Sequence, residues 1–190
     1  MQRALKAASD ATFNTLNVDG ATSTNDTAML FASGKRGKAD PDEFANALLA
    51  ACRDLTMQMA RDAEGMTRMA HLNVTGAHTN EEARIAAKNI VENNLVKCSW
   101  YGGDPYWGRL MAAAGSAGVD LNVDRSFVAY GGIVVARGGV GIEHDGDALV
   151  EHMLGDEVQI EVHLGTGHGH ATMIGIDLGP GYIKENSKTS

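Results

Sequence analysis

From Glu157 to Leu164 the chain alternates without a break: Val158, Ile160, Val162 and Leu164 are apolar, and Glu157, Gln159, Glu161 and His163 are polar. A period of two is what a β-strand with one buried and one wet face requires, and a helix would scatter the same residues around its circumference. Helices announce themselves elsewhere. Asp40 precedes Pro41 and stands three residues before Glu43, an N-cap with proline at the first helical position and the spacing of a capping box. Phe44, Leu48, Ala51, Leu55 and Met59 then recur at helical spacing as one apolar face, and the helix stops near Gly65. Thr79-Asn80-Glu81-Glu82 is a second capping box, and its acidic pair needs no cause beyond opening that helix.

The remaining pattern is mixed. Residues 3–10 read as a helix end, and Asn14–Val18, Thr27–Ala32, Thr67–Thr75 and Lys97–Tyr101 read as strands. Pro105 starts a helix through Ala114 that Gly115 or Gly118 closes. Strands follow at 127–130 and 132–137, then a short helix at 146–153. Gly165–His170 reads as a hairpin turn before a return strand, Ala171–Leu178. The class is α+β, with a soft division near Gly76 into 1–76 and 77–190.

Composition narrows the function classes. A formal net charge of -8 argues against nucleic acid as a partner. No apolar run approaches the roughly 20 residues that span a bilayer, and Met1–Lys6 lacks the apolar centre of a signal peptide. Cys52 and Cys98, far apart in sequence, read as a reduced, intracellular pair.

Several stretches invite a chemical reading. Val18–Thr27 crowds Thr22, Ser23, Thr24, Asn25, Asp26 and Thr27 behind Asp19-Gly20, which suits either a rigid site wall or a tight polar turn. Gly102–Arg109, with Asp104, Pro105 and Trp107, suits either a cleft or a helix start. The Gly131–Gly141 stretch lacks the features of a phosphate loop and reads as two hairpin turns. His163, His168 and His170 lie close together without a supporting cluster, so a solvated turn is favoured over a metal site. Glu64 places a carboxylate at the helix end where the macrodipole disfavours it. No nucleophile–base pair stands out.

Four ordered segments carry a resemblance. They are Phe13-Asn14 with Val18-Asp19-Gly20 and Thr22–Thr27; Glu64-Gly65 with Thr67-Arg68 and Val74–Ala77; Asp104-Pro105 with Trp107-Gly108-Arg109; and Asp177-Leu178 with Tyr182-Ile183-Lys184 and Asn186. Together they resemble the C-terminal (beta) chain of the bifunctional ornithine acetyltransferase / N-acetylglutamate synthase family. The resemblance implies a layered sheet-and-helix architecture like that of N-terminal-nucleophile aminopeptidases, with a smaller α+β C-terminal domain. It implies a cytoplasmic enzyme of arginine biosynthesis, made as a precursor that cuts itself between an alanine and a threonine. The new N-terminal threonine takes an acetyl group from N-acetylornithine and passes it to glutamate, its own amine serving as base. No bound cofactor is implied, although acetyl-CoA is a donor in some members. The implied partner is the alpha chain, in a heterotetramer of two alpha and two beta chains.

By the same resemblance Glu64 and Asn186 contact substrate, and Thr189 or Ser190 supplies a terminal hydroxyl that also does. Thr22, Thr24, Asn25 and Asp26 serve as site scaffold. No metal ligand and no catalytic residue is expected in this chain, because the nucleophilic threonine lies further upstream than the sequence reaches. Arg68, Gly103 and Tyr106 depart from a common lysine, acidic residue and asparagine. Two rival functions stand beside this one: a related N-terminal-nucleophile aminopeptidase or amidase, and a non-catalytic amino-acid-binding relative.

Overall fold

The computed structural model describes residues 1–188. Its backbone is a seven-stranded sheet in the order β1-β7-β2-β6-β3-β4-β5. The strands are β1 (Leu16–Asn17), β2 (Met69–Ala77), β3 (Phe127–Tyr130), β4 (Ile133–Arg137), β5 (Val140–Gly141), β6 (Glu157–His163) and β7 (Gly169–Ile176). At the centre β2 runs parallel to β6 and antiparallel to β7. The helices are α1 (Gln2–Asp10), α2 (Pro41–Arg61), α3 (Asn80–Glu92), α4 (Asn94–Tyr101), α5 (Trp107–Gly115), α6 (Gly146–Leu154) and α7 (Pro180–Asn186). None of them is long and apolar enough to cross a membrane.

The alternation in β6 decides the layers as anticipated. Val158, Ile160, Val162 and Leu164 are buried, and they join Leu72 and Val74 of β2 in the main core. That core also takes Ala83, Ala86, Ala87, Ile90 and Val91, the apolar side of α3, which packs across β7 and β2. Alanines on this side of α3 let the helix lie close to the sheet. The other face of the sheet carries His71, Thr75, Glu157 and His163, half-buried or exposed. On this face Met69 and Ile176 form a second, smaller apolar cluster with Ala60 at the end of α2.

Both helix starts form where the sequence indicates, each with its N-cap, while the Glu82 side chain accepts from His78 N at 3.2 Å rather than closing the box on Thr79 N. Asp40 Oδ1 accepts from the backbone N–H groups of Asp42 and Glu43, each at 3.0 Å, and Thr79 Oγ1 accepts from that of Glu82 at 3.1 Å. The glycine pairs Gly131-Gly132 and Gly138-Gly139 all have positive φ and turn β3 into β4 and β4 into β5, the hairpins expected of them.

Five expectations are corrected. Thr27–Ala32 is not a strand; it has no regular structure, and no strand among the described residues pairs with it. Lys97–Tyr101 is the second half of α4, whose cap is Asn93 accepting from Leu95 N and Val96 N. The helix expected from Pro105 begins at Trp107. In α2 the inward ladder is Phe44, Leu48, Cys52, Thr56 and Ala60, a strict four-residue step, which leaves Ala51, Leu55 and Met59 exposed. Gly165–His170 is not a hairpin. β6 and β7 lie on opposite sides of β2, so the loop crosses the end of β2, where Thr166 N and Gly167 N donate to Gly76 O at 2.7 and 2.8 Å. Gly76 itself sits inside β2, at a register shift with φ +73°.

Trp100 of α4 packs closely against β7 because position 175 is glycine: a Cβ there would stand 2.5 Å from Trp100 Cζ3. Gly175→Ala should therefore lower the unfolding free energy by about 1–3 kcal/mol, the usual range for overpacking. Denaturant titration checks this, with an unchanged midpoint as the contrary result.

Candidate functional site

Glu64 and Asn186 are 122 residues apart in sequence and meet in space: Asn186 Nδ2 donates to Glu64 Oε2 at 2.6 Å and also to Tyr182 O at 3.1 Å. Both side chains are exposed. The meeting depends on two glycines. Gly65, at φ +66°, lies so close to Gly181 that a Cβ on it would stand 2.1 Å from Tyr182 N. The loop after α2 and the start of α7 thus touch backbone to backbone, and the side chains on either side of the contact converge.

A buried carboxylate fixes this arrangement from below. Asp177, 3% exposed, accepts from the Thr67 N–H at 2.9 Å and from Thr67 Oγ1, while its own N–H donates to Arg68 O at 3.1 Å. Arg68 donates to the Trp100 and Tyr101 carbonyls that end α4. Beside Asp177, Lys97 is 1% exposed and donates to Ile176 O at 2.6 Å. Burial pushes the Lys97 ammonium down to about 8 from its ordinary 10.5, against Asp19, Asp177 and Glu92, whose charges favour the ionised form.

The hydroxyl-rich run is tied to the same place at its front end. Tyr182 Oη donates to Asp19 Oδ2 at 2.9 Å, and this bond raises the phenol's pKa, so Tyr182 stays a donor. Asp19 also accepts from Ala21 N. Beyond that, the hydrogen bonds of the run are local and exposed. Ser23 Oγ accepts from Asn25 N and Asp26 N, Thr24 donates to Asn25 Oδ1, and Thr27 donates to Asn25 O. Thr22, Thr24, Asn25 and Asp26 are all exposed, in a turn held by Ser23. Thr189 and Ser190 lie outside the described residues.

The other marked stretches are structural. Asp104 N bonds Ser99 O, Trp107 packs on the main core, and Arg109 lies 5.2 Å over the Tyr106 ring while donating to Leu95 O. Together they join α4 to α5. His163 stacks on Phe127 with ring centroids 4.9 Å apart and bonds Thr75 Oγ1, whereas His168 and His170 are exposed. No cluster that could hold a metal ion is present among the described residues. Neither cysteine is in a disulfide; Cys52 is buried and Cys98 exposed.

Residue-by-residue reading missed Lys97, and it gave no role to Thr67, Asp177 or Tyr182, although these three fall inside the quoted segments. The available signal for Lys97 was a lysine inside the apolar run Leu95-Val96-Lys97-Cys98.

The ArgJ family model matches residues 1–190. The chain belongs to the ArgJ family. It is 42% identical to the arginine biosynthesis bifunctional protein ArgJ of Mycolicibacterium paratuberculosis, over all of this chain and 46% of that protein. With the protein of the same name from Geobacillus kaustophilus the identity is 39%, over 97% of this chain and 47% of the relative. The chain thus spans about half the length of the curated ArgJ relatives it matches. A crystal structure of ArgJ from Bacillus halodurans superposes with a TM-score of 0.91 at 38% identity, covering 98% of this chain and 91% of that one.

Two outcomes follow. Gly65→Ala combines an unfavourable φ with a backbone clash, and it should separate α7 from the Glu64 loop at a loss of about 1–4 kcal/mol. Thermal unfolding together with hydrogen exchange at Ile183–Ser187 measures both effects. For Lys97, the unfolded chain holds a proton up to about pH 10.5 that the folded chain releases near 8. Between those values the unfolded state binds more protons, so stability rises with pH and falls again as pH drops through 8. The unfolding free energy should gain about 2 kcal/mol from pH 7 to 10, and Lys97→Met should show no such gain in denaturant titrations at the two pH values.

Proposed function

We propose that this chain is the substrate-contacting C-terminal part of an acetyltransferase that moves an acetyl group from N-acetylornithine to glutamate in arginine biosynthesis. The observation that carries the reading is the Glu64–Asn186 pair, two exposed groups brought to hydrogen-bond distance in a chain that belongs to the ArgJ family. A carboxylate suits an amino acid's ammonium group, and an amide, which both donates and accepts, suits its carboxylate. Ornithine carries a second ammonium, so a site with a fixed carboxylate fits it well.

In the proposed reaction a threonine hydroxyl supplied from outside this chain attacks the acetyl carbonyl of N-acetylornithine. The C–N bond breaks, ornithine leaves with the proton, and a threonine acetyl ester remains. The glutamate amine then attacks that ester, forming N-acetylglutamate and restoring the hydroxyl. Glu64 and Asn186 would hold the amino acid while Tyr182 and Asp19 steady the wall formed by Thr22–Asp26. Acetyl-CoA would be an alternative donor rather than a resident cofactor.

The partner in this proposal is an alpha chain from the same precursor, assembled as two alpha and two beta chains. The curated relatives are about twice as long as this chain, while the solved Bacillus halodurans chain is covered to 91%. Two such lengths fit a precursor that ends as two chains. The exposed apolar side chains Phe31 (85%), Met29 (67%), Leu55 (50%) and Met59 (49%) also fit a surface that another chain covers.

Expression of the full-length precursor with both substrates tests the reading. Self-cleavage, ping-pong kinetics and an acetyl-enzyme mass on the new N-terminal threonine are expected. Asn186→Ala should raise KM for N-acetylornithine about tenfold. Cleavage without transfer to any amino acid would overturn the reading, and acetate released to water would favour an amidase.

A further inference from the structure

Lys97 is a fully buried cation with no part in the chemistry just described. It forms no ion pair among the described residues. Its ammonium instead donates to Ile176 O at 2.6 Å, and its own carbonyl accepts from Leu178 N at 3.3 Å. Side chain and backbone of one residue therefore grip the two neighbours of Asp177.

The chain leaving that grip is the one that matters. Leu178 and Gly179 lead directly into α7, which carries Tyr182 and Asn186. Asp177, held from both sides, in turn holds Thr67, three residues beyond Glu64. The two halves of the Glu64–Asn186 pair thus share one link to the sheet, the three residues Ile176–Leu178, and Lys97 fixes it. Asp19, which anchors Tyr182, is the carboxylate whose charge acts most strongly on the same ammonium.

We propose that Lys97 is a positioning residue: by binding the Ile176 carbonyl it sets the separation of Glu64 and Asn186. An alkyl side chain would fill the same space at no cost in buried charge, so space-filling alone does not explain an ammonium here. A single donor beneath the end of β7 gives a direction that packing cannot: it holds one particular carbonyl, and with it the exit angle of the strand. The proposal rests on the reading that Glu64 and Asn186 contact substrate.

The test is Lys97→Met in the full-length protein, read in two ways. Amide exchange at Ile183–Ser187 should quicken by about tenfold while the amides of β2 keep their protection. KM for N-acetylornithine and glutamate should rise by about tenfold with kcat within about twofold of the wild type. Unchanged exchange at α7, a loss of protection spread evenly over β2 and α7, or an unchanged KM would each overturn the proposal. If Lys97→Met does not accumulate as a folded protein, Lys97→Gln is measured in its place by the same criteria. If the wild-type protein transfers no acetyl group, the proposed function fails, and the exchange measurement alone decides the role of Lys97.

Discussion

The Asp177 carboxylate is the contact on which the rest of the site depends. A carboxylate buried to this degree is tolerated only when fixed donors replace its water, and Thr67 provides two of them from the strand entry opposite. The bond closes the end of the β2–β7 pair and holds the approach from α2 against the departure toward α7. Everything exposed at the site is built on that closure: the glycine contact above it, then the pair of side chains above the glycines. Arg68 extends the closure sideways to α4, so the helix that carries Lys97 is held from both directions.

Features that are local in sequence were legible. The N-cap at Asp40, the N-cap at Thr79 and the alternation over Glu157–Leu164 each satisfy their physics within a few residues and appear as read, although the Glu82 carboxylate accepts from His78 N rather than from Thr79 N. Features that depend on a distant partner were not. Leu95–Tyr101 is a short apolar run of the kind that fits a strand or a buried helix equally, and only the Asn93 cap and the cover it gives β7 decide for helix. In α2 two apolar ladders compete, through Leu55 and Met59 or through Cys52 and Thr56. The choice falls to the smaller side chains, because Ala60 must fit against Met69 and Ile176. The crossing of Gly165–His170 is likewise a property of strand order, and no turn residue encodes that.

The site divides along the same line. Glu64 and the Thr22–Asp26 run drew attention by their own chemistry, but their roles, and Asn186 altogether, came from resemblance to a family. What resemblance left blank is the machinery joining them, since Asp177, Lys97 and Tyr182 act through contacts spanning 79 to 163 residues. A buried lysine with one carbonyl for company is a poor stabiliser, and its burial lowers its proton affinity. Structures commonly accept such a cost where placement matters more than stability.

The unpaired segment Thr27–Ala32 has a consequence for the life of the chain outside any assembly. Six consecutive uncharged residues with no proline, ending in Met29-Leu30-Phe31-Ala32, have the composition that seeds intermolecular sheets when a backbone is left without a ladder. The charges stand at its borders: Asp26 on one side, and Lys35, Arg36 and Lys38 on the other. These act as gatekeepers, since stacking a second copy in register would bring like charges together at both ends. The sequence thus carries its own guard against fibrillar self-pairing, next to the stretch most exposed to it.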